Sequence, residues 1–361
     1  MKTLLITLEF PPFKGGVANY YGNLVKYWPV SEGITILNNE QKILDSGHGF
    51  WSWRRSLGAL RRQIKKDQVD YVLVGNILPL GTAAALISLI QPLKFGVFLH
   101  GLDWTYAVRN QWKRKLVKFI IRRSDRIICA NSYVAEQVVD FYPQGSEKIV
   151  VINPGVSSLA PLISSEEIKK LDEQYHLYDQ TVLLSLGRLV KRKGVDLVIK
   201  ALASLPLKEQ ENLLYFIAGQ GPDEAYLKQL VPAALKEKII FLGALEDKDK
   251  WLWLHRADIF LMPARNIEGD FEGFGIVYLE ANLSGRPVIA GRAGGVTDAV
   301  IDGQTGLLVD PENEADLAQA ILRLVADTNL RKRLGRQGRD RAIKEFNWDK
   351  QIKRLVDIIK I

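Results

Sequence analysis

The chain is poor in the residues that most often announce chemistry. It has one cysteine, Cys129, so an internal disulfide is excluded, and a reducing compartment fits. That cysteine lies in the apolar run Arg126-Ile127-Ile128-Cys129-Ala130, which reads as a buried strand, so packing is favoured over a nucleophilic role. The four histidines are scattered without metal-ligand spacing, which argues against a zinc site. The longest apolar stretch, Ile77 to Ile90, is broken by Pro79 and Gly81 and is too short to span a bilayer. Lys2 to Leu8 is too short for a signal peptide and runs into an acidic residue and two prolines. A cytoplasmic protein without a membrane span is expected. There is no low-complexity segment and no internal repeat at a fixed period.

What is present is alternation. Strand-like runs near Thr3–Thr7, Ile34–Leu37, Tyr71–Val74, Phe95–Leu99, Arg126–Cys129 and Ile149–Ile152 are separated by helical runs such as Val17–Tyr27 and Trp112–Arg122. A turn-rich break follows, Asn153-Pro154-Gly155-Val156-Ser157-Ser158. The polar stretch Leu159–Gln180 reads as a linker with a short helix. A second series runs Val182–Leu186, Leu214–Ala218, Ile239–Phe241, Ile259–Met262, Val288–Ala290 and Leu307–Val309. This pattern predicts an α/β fold: two open domains, each a parallel sheet covered by helices. Ligands in such sheets bind beyond the carboxyl ends of the strands. The expected division is residues 1–158, 159–340 and a basic terminal helix, 341–361, crossing back to the first domain.

The densest chemical signal is RNIEGDFEGFGIVYLEA, from Arg265 to Ala281. Glu272 and Glu280 bracket Gly273-Phe274-Gly275, between a strand and the start of a helix. Free N–H groups and the positive end of a helix dipole suit an anion there. Two acids beside a phosphate would repel it unless they bind hydroxyls, and a hydroxyl-rich phosphate ligand is a sugar nucleotide. Other strand ends carry compatible residues. Gly15-Gly16 opens the first long helix, where a mere turn is the competing reading. His100 ends an apolar strand, where a satisfied turn histidine is the alternative. Arg188 and Lys193 follow the first strand of the second half and suit a diphosphate leaving group; Lys191 and Arg192 between them read as plain surface charge. Gly219-Gln220-Gly221-Pro222 resembles a dinucleotide turn weakly and is taken to border the nucleotide. Arg292-Ala293-Gly294-Gly295-Val296 either approaches the ligand or permits a tight turn. Asp247-Lys248-Asp249 has the form of a metal-binding DxD but opens a helix, so capping and dipole complementation explain it and no metal is expected.

The net charge of +8 is concentrated in Trp51-Ser52-Trp53-Arg54-Arg55 with Arg61, Arg62, Lys65 and Lys66, and in the run from Trp112 to Arg123. Tryptophan and cations on amphipathic helices suit an anionic membrane surface, and snorkelling cations on a packed helix are the alternative. No recognition motif accompanies the charge, so nucleic acid is not expected.

With these residues in place, nearly the whole chain resembles the retaining glycosyltransferases of family 4, which have the GT-B fold of two Rossmann-like domains facing across a cleft. The pair Glu272 and Glu280 is the most specific element. The resemblance implies that Glu280 binds the ribose and Glu272 the hydroxyls of the transferred sugar. Phe274, Gly275 and Ile276 would meet sugar and phosphate through their backbone. Arg188 and Lys193 would bind the diphosphate, with a backbone N–H from Gly16, and His100 would lie beside the sugar. Phe346-Asn347-Trp348 would begin the return to the first domain. Phe10 to Tyr20 and Asn266 to Ala281 are similar to bacterial phosphatidylinositol mannosyltransferases and polysaccharide enzymes. The implied activity is a metal-independent hexosyltransferase without cofactor, using GDP-mannose or a UDP-sugar and a glycan or lipid-linked acceptor. The expected location is cytoplasmic, with the basic helices as the ground for peripheral contact at the inner face of the cell membrane. A sugar-nucleotide epimerase, or a non-catalytic glycan-binding protein on the same fold, is the alternative.

Overall fold

The computed structural model describes residues 1–13, 15–45, 53–157 and 160–360. Lys14, Trp51, Ser52 and the expected boundary at 158–159 lie outside them. The chain forms two units, Met1–Gly155 with Trp348–Ile361, and Val156–Asn347.

The first unit holds β1 (Lys2–Thr7), β2 (Gly33–Asn38), β3 (Tyr71–Val74), β4 (Lys94–Leu99), β5 (Arg126–Cys129) and β6 (Ile149–Val151). They form one parallel sheet in the order β2-β1-β3-β4-β5-β6. The second unit holds β7 (Thr181–Leu186), β8 (Leu213–Ala218), β9 (Ile239–Gly243), β10 (Ile259–Met262), β11 (Val288–Gly291) and β12 (Gly306–Val309), in the order β12-β11-β10-β7-β8-β9. All pairings in this sheet are parallel too. Each of the twelve strand-like runs is thus a strand. Cys129 is buried in β5, and burial pushes its thiol well up.

Continuous apolar runs form the inner strands because both faces are covered, whereas the edge strand β2 is largely exposed. In the second sheet Leu183, Tyr215, Ile217, Ile259 and Leu261 pack into one core, while the alternate residues Leu184, Phe216, Phe260 and Met262 pack into another. Each such fully buried side chain contributes roughly 1.5–3 kcal/mol relative to exposure.

Strand order positions the ligand sites. In the second sheet the order reverses between β7 and β10, so the loops after these two neighbours leave the same edge and diverge. In the first sheet the reversal lies between β1 and β3. The linker helix Ser165–Tyr175 starts with a capping box, the Ser164 hydroxyl accepting from the Glu167 N–H and the Glu167 carboxylate from the Ser164 N–H. The basic C-terminal stretch, read as helical from Asp340, is two helices, Thr328–Glu345 and Trp348–Lys360. Between them the Phe346 carbonyl accepts from the Val156 N–H. Trp348 packs edge-on against Tyr20 in the first unit. Among the described residues no helix is long and apolar enough to cross a membrane.

Candidate active site

In the second unit the switch point carries the charged residues. The loop after β7 closes through Gly194, whose φ of 75° is left-handed and whose Cβ position would fall 2.2 Å from the Pro263 carbonyl. Only glycine lets the β7 and β10 loops approach so closely. This contact places Arg192 and Lys193 beside the segment after β10.

Glu272 is buried there, and one of its oxygens, Oε2, lies 2.5 Å from Arg192 Nη1 and 2.6 Å from Lys193 Nζ. Arg192 Nε also faces Asp270 Oδ1 at 3.1 Å. Burial opposes ionisation of Glu272, but Lys193 and then Arg192 outweigh it and hold its carboxyl below the ordinary range. The Glu272 backbone is pinned as well, its carbonyl accepting from the Gly295 N–H at 2.9 Å. The Gly294-Gly295 pair therefore packs on the Glu272 backbone.

Gly275 has φ 76° and precedes the helix Ile276–Leu283. Phe274 is buried against Phe346, while Ile276 at the first turn is exposed. Glu280 is on this helix, and its Oε1 meets Lys250 Nζ at 2.8 Å. Lys250 also lies 3.4 Å from Asp247. Here burial prevails, and the Glu280 carboxyl rises above the ordinary range despite Lys250. Arg188 is exposed and pairs with no carboxylate among the described residues. Gly219 packs on the backbone of Gly187, and its N–H donates to the Gly243 carbonyl at 2.7 Å.

The structure brings Lys193 and Glu272 into contact, and sets Arg188 in the same β7 loop. Two residues were misread or missed. Arg192, taken for surface charge, is an ion-pair partner of Glu272; Lys191 is exposed as expected. Lys250 ends the segment Asp247-Lys248-Asp249-Lys250, where no local signal marks it as the partner of Glu280. Neither Asp247 nor Asp249 caps its helix. Glu246 occupies the N-cap position without a side-chain bond, and the two aspartates sit in the first turn, where the dipole favours them.

In the first unit the helix Gly16–Lys26 begins just past β1, so the Gly16 N–H belongs to the turn that lacks intrahelical acceptors. Space beside Gly16 is open. His100 follows β4 among aromatic rings, stacked on Phe98 and edge-on to Tyr20 and Tyr21. Its Nε2 lies 2.8 Å from the Tyr21 hydroxyl, which donates its own proton to the Gly75 carbonyl at 2.7 Å. His100 must therefore donate through Nε2, and in the neutral ring Nδ1 is left as an acceptor. Burial pushes the imidazole pKa down, so that neutral form prevails, although Asp103 opposes the shift. Asp103 accepts from the N–H groups of His100 and Gly101 at 2.9 and 2.8 Å. Glu9 is half-buried, and burial, then Asp103, raises its carboxyl.

Two doubly wound units with phosphate- and sugar-compatible groups at their switch points define a GT-B protein. The chain belongs to glycosyltransferase family 4: residues 37–158 match the model described as Glycosyltransferase Family 4, and residues 167–341 match Glycosyl transferases group 1. It is similar to a GDP-mannose-dependent alpha-(1-6)-phosphatidylinositol monomannoside mannosyltransferase of Mycolicibacterium smegmatis, 27% identical over 99% of this chain and 97% of the relative. A glycosyltransferase structure from Rickettsia africae superposes with a TM-score of 0.83 at 21% identity, over 99% of this chain and 98% of the other. The Anabaena protein HepE in complex with UDP does so at 0.80 and 18%, over 100% of both chains.

Proposed function

We propose that this glycosyltransferase moves a hexosyl group, of mannose type, from a nucleoside-diphosphate sugar to a hydroxyl of a glycan or lipid-linked acceptor, with retention of configuration. The observation that carries this is the switch point of the second unit, where Lys193 contacts Glu272 and Arg188 stands exposed in the same loop. The relatives named GDP-mannose-dependent support GDP-mannose as donor, and the HepE complex with UDP leaves a UDP-sugar as the second choice.

As the glycosidic bond breaks, negative charge grows on the diphosphate. Arg188 and Lys193 meet that charge, as do the backbone N–H groups at Gly275 and Ile276. Removing one such donor costs on the order of a few kcal/mol in barrier. Glu272 holds sugar hydroxyls and Glu280 the ribose. With both carboxylates engaged, a same-face attack, in which the leaving phosphate takes the acceptor proton, accounts for retention. No step uses a metal.

The exposed cations Arg54, Arg55, Arg61, Arg62, Lys65 and Lys66 stand on a helix whose Ser56, Leu60 and Ile64 face inward. Trp112, half exposed, begins the second basic helix, Gln111–Arg123. Both support peripheral contact with an anionic membrane.

A thermal-shift panel of GDP-mannose, UDP-glucose and an ADP-sugar tests the reading, since a ligand of the folded state raises its stability. A shift with GDP-mannose, followed by transfer that survives a chelator, is expected. No shift with any sugar nucleotide, or transfer restored only by Mg²⁺, overturns it.

A further inference from the structure

We propose that Arg192 is a positioning residue that carries the charge of Glu272, so that Lys193 can leave this carboxylate for the diphosphate of the donor. The inference rests on the function proposed above and assigns a role to a residue that function does not use.

One oxygen of Glu272 serves two cations, Arg192 at 2.5 Å and Lys193 at 2.6 Å. A diphosphate bound at this loop competes for Lys193. A buried carboxylate deprived of its only counter-charge is strongly destabilised, so Lys193 can be lent only if another cation stays. Arg192 is built to stay. Its fork spans two acids, Nη1 on Glu272 and Nε toward Asp270. Asp270 is presented by a tight turn in which Ile267 and Asp270 exchange two backbone hydrogen bonds of 2.8 Å. The turn needs left-handed backbone at Glu268, φ 49°, and Gly269, φ 86°. The Arg192 carbonyl is fixed by the Arg265 N–H at 2.9 Å. Arg265 is in turn locked by the buried Asp196, at 2.7 and 2.8 Å from its Nη2. Among the described residues Lys193 pairs with one acid, Glu272, at the end of a flexible stem. The planar fork stays and the point charge moves.

The test is calorimetric binding of GDP, UDP and ADP to the wild type, Arg192→Met, Glu272→Gln and the double variant, with thermal melts to confirm folding. Arg192→Met is expected to weaken the best-bound nucleoside diphosphate on the order of tenfold, because Lys193 remains trapped on Glu272. Glu272→Gln is expected to bind it as tightly as the wild type or more tightly, because Lys193 is released. In the Gln background the Arg192 change should cost less than about threefold. An equal loss in both backgrounds would mean that Arg192 touches the phosphate itself and would overturn the proposal, as would no loss in either. Should Arg192→Met not fold, Arg192→Lys, which keeps the charge and removes the fork, carries the same cycle. If the wild type binds none of the three nucleotides, the proposed function fails first and this role falls with it. If it binds and the cycle is additive, only this role fails.

Discussion

Glu272 and Glu280 belong to one short motif, yet their surroundings push them in opposite directions. Glu272 meets two cations on a single oxygen, and its carboxyl is held below the ordinary range. Glu280 meets Lys250, and burial lifts its carboxyl above that range. A carboxylate kept charged suits electrostatic work beside a moving cation. The difference comes from the number of cations that the neighbouring loops deliver, not from spacing within the motif.

Removing the charged member should have the largest effect. Glu272→Ala leaves Lys193 and Arg192 facing each other, a change that costs about 3–5 kcal/mol where a buried pair is broken. Transfer should fall at least a hundredfold, on the order expected for a group that meets the reacting sugar. Full turnover in a steady-state assay would remove Glu272 from the site. Lys193→Met should come next, weakening nucleoside-diphosphate binding about tenfold or more by calorimetry; equal affinity would break its assigned role. Lys250→Met should then leave Glu280 protonated more of the time and weaken the same ligand several-fold. An unchanged affinity would show that Glu280 does not need its partner.

The smallest effect is on stability against pH. Glu272 is ionised more readily in the folded chain than at the ordinary 4.5 of the unfolded one. Its contribution is therefore complete above that value and is lost as pH falls through the lower folded value. Melting temperatures of Glu272→Gln should decline less steeply than those of the wild type below about pH 4.5, by on the order of a few °C. Parallel curves would contradict the depressed carboxyl. Glu280 has the opposite sign: its raised folded value disfavours the folded state progressively as pH rises through it.

Much of the architecture was readable along the chain. Strands buried on both faces leave continuous apolar runs, and shorter β-branched runs mark the less buried edge strands β2, β6 and β9. Charge partners were less visible. Arg192 looked like surface charge because its acids, Asp270 and Glu272, are distant in sequence, and Lys250 was hidden because Glu280 is on another helix. The helical pattern from Asp340 runs on across Phe346-Asn347, where only the resemblance places a junction; a backbone contact with Val156 marks the interruption there.

The alternation of apolar runs was enough to determine two α/β units, because local propensity and burial leave periodic marks on neighbouring residues; Glu272, Glu280, Arg188 and Lys193 stood out as candidates through their motif and their places at strand ends. Which cations face Glu272, and so in which direction its carboxyl shifts, was decided only when β7 and β10 paired and brought their loops together. Coulombic interaction depends on separation in space, and chain order does not encode that separation.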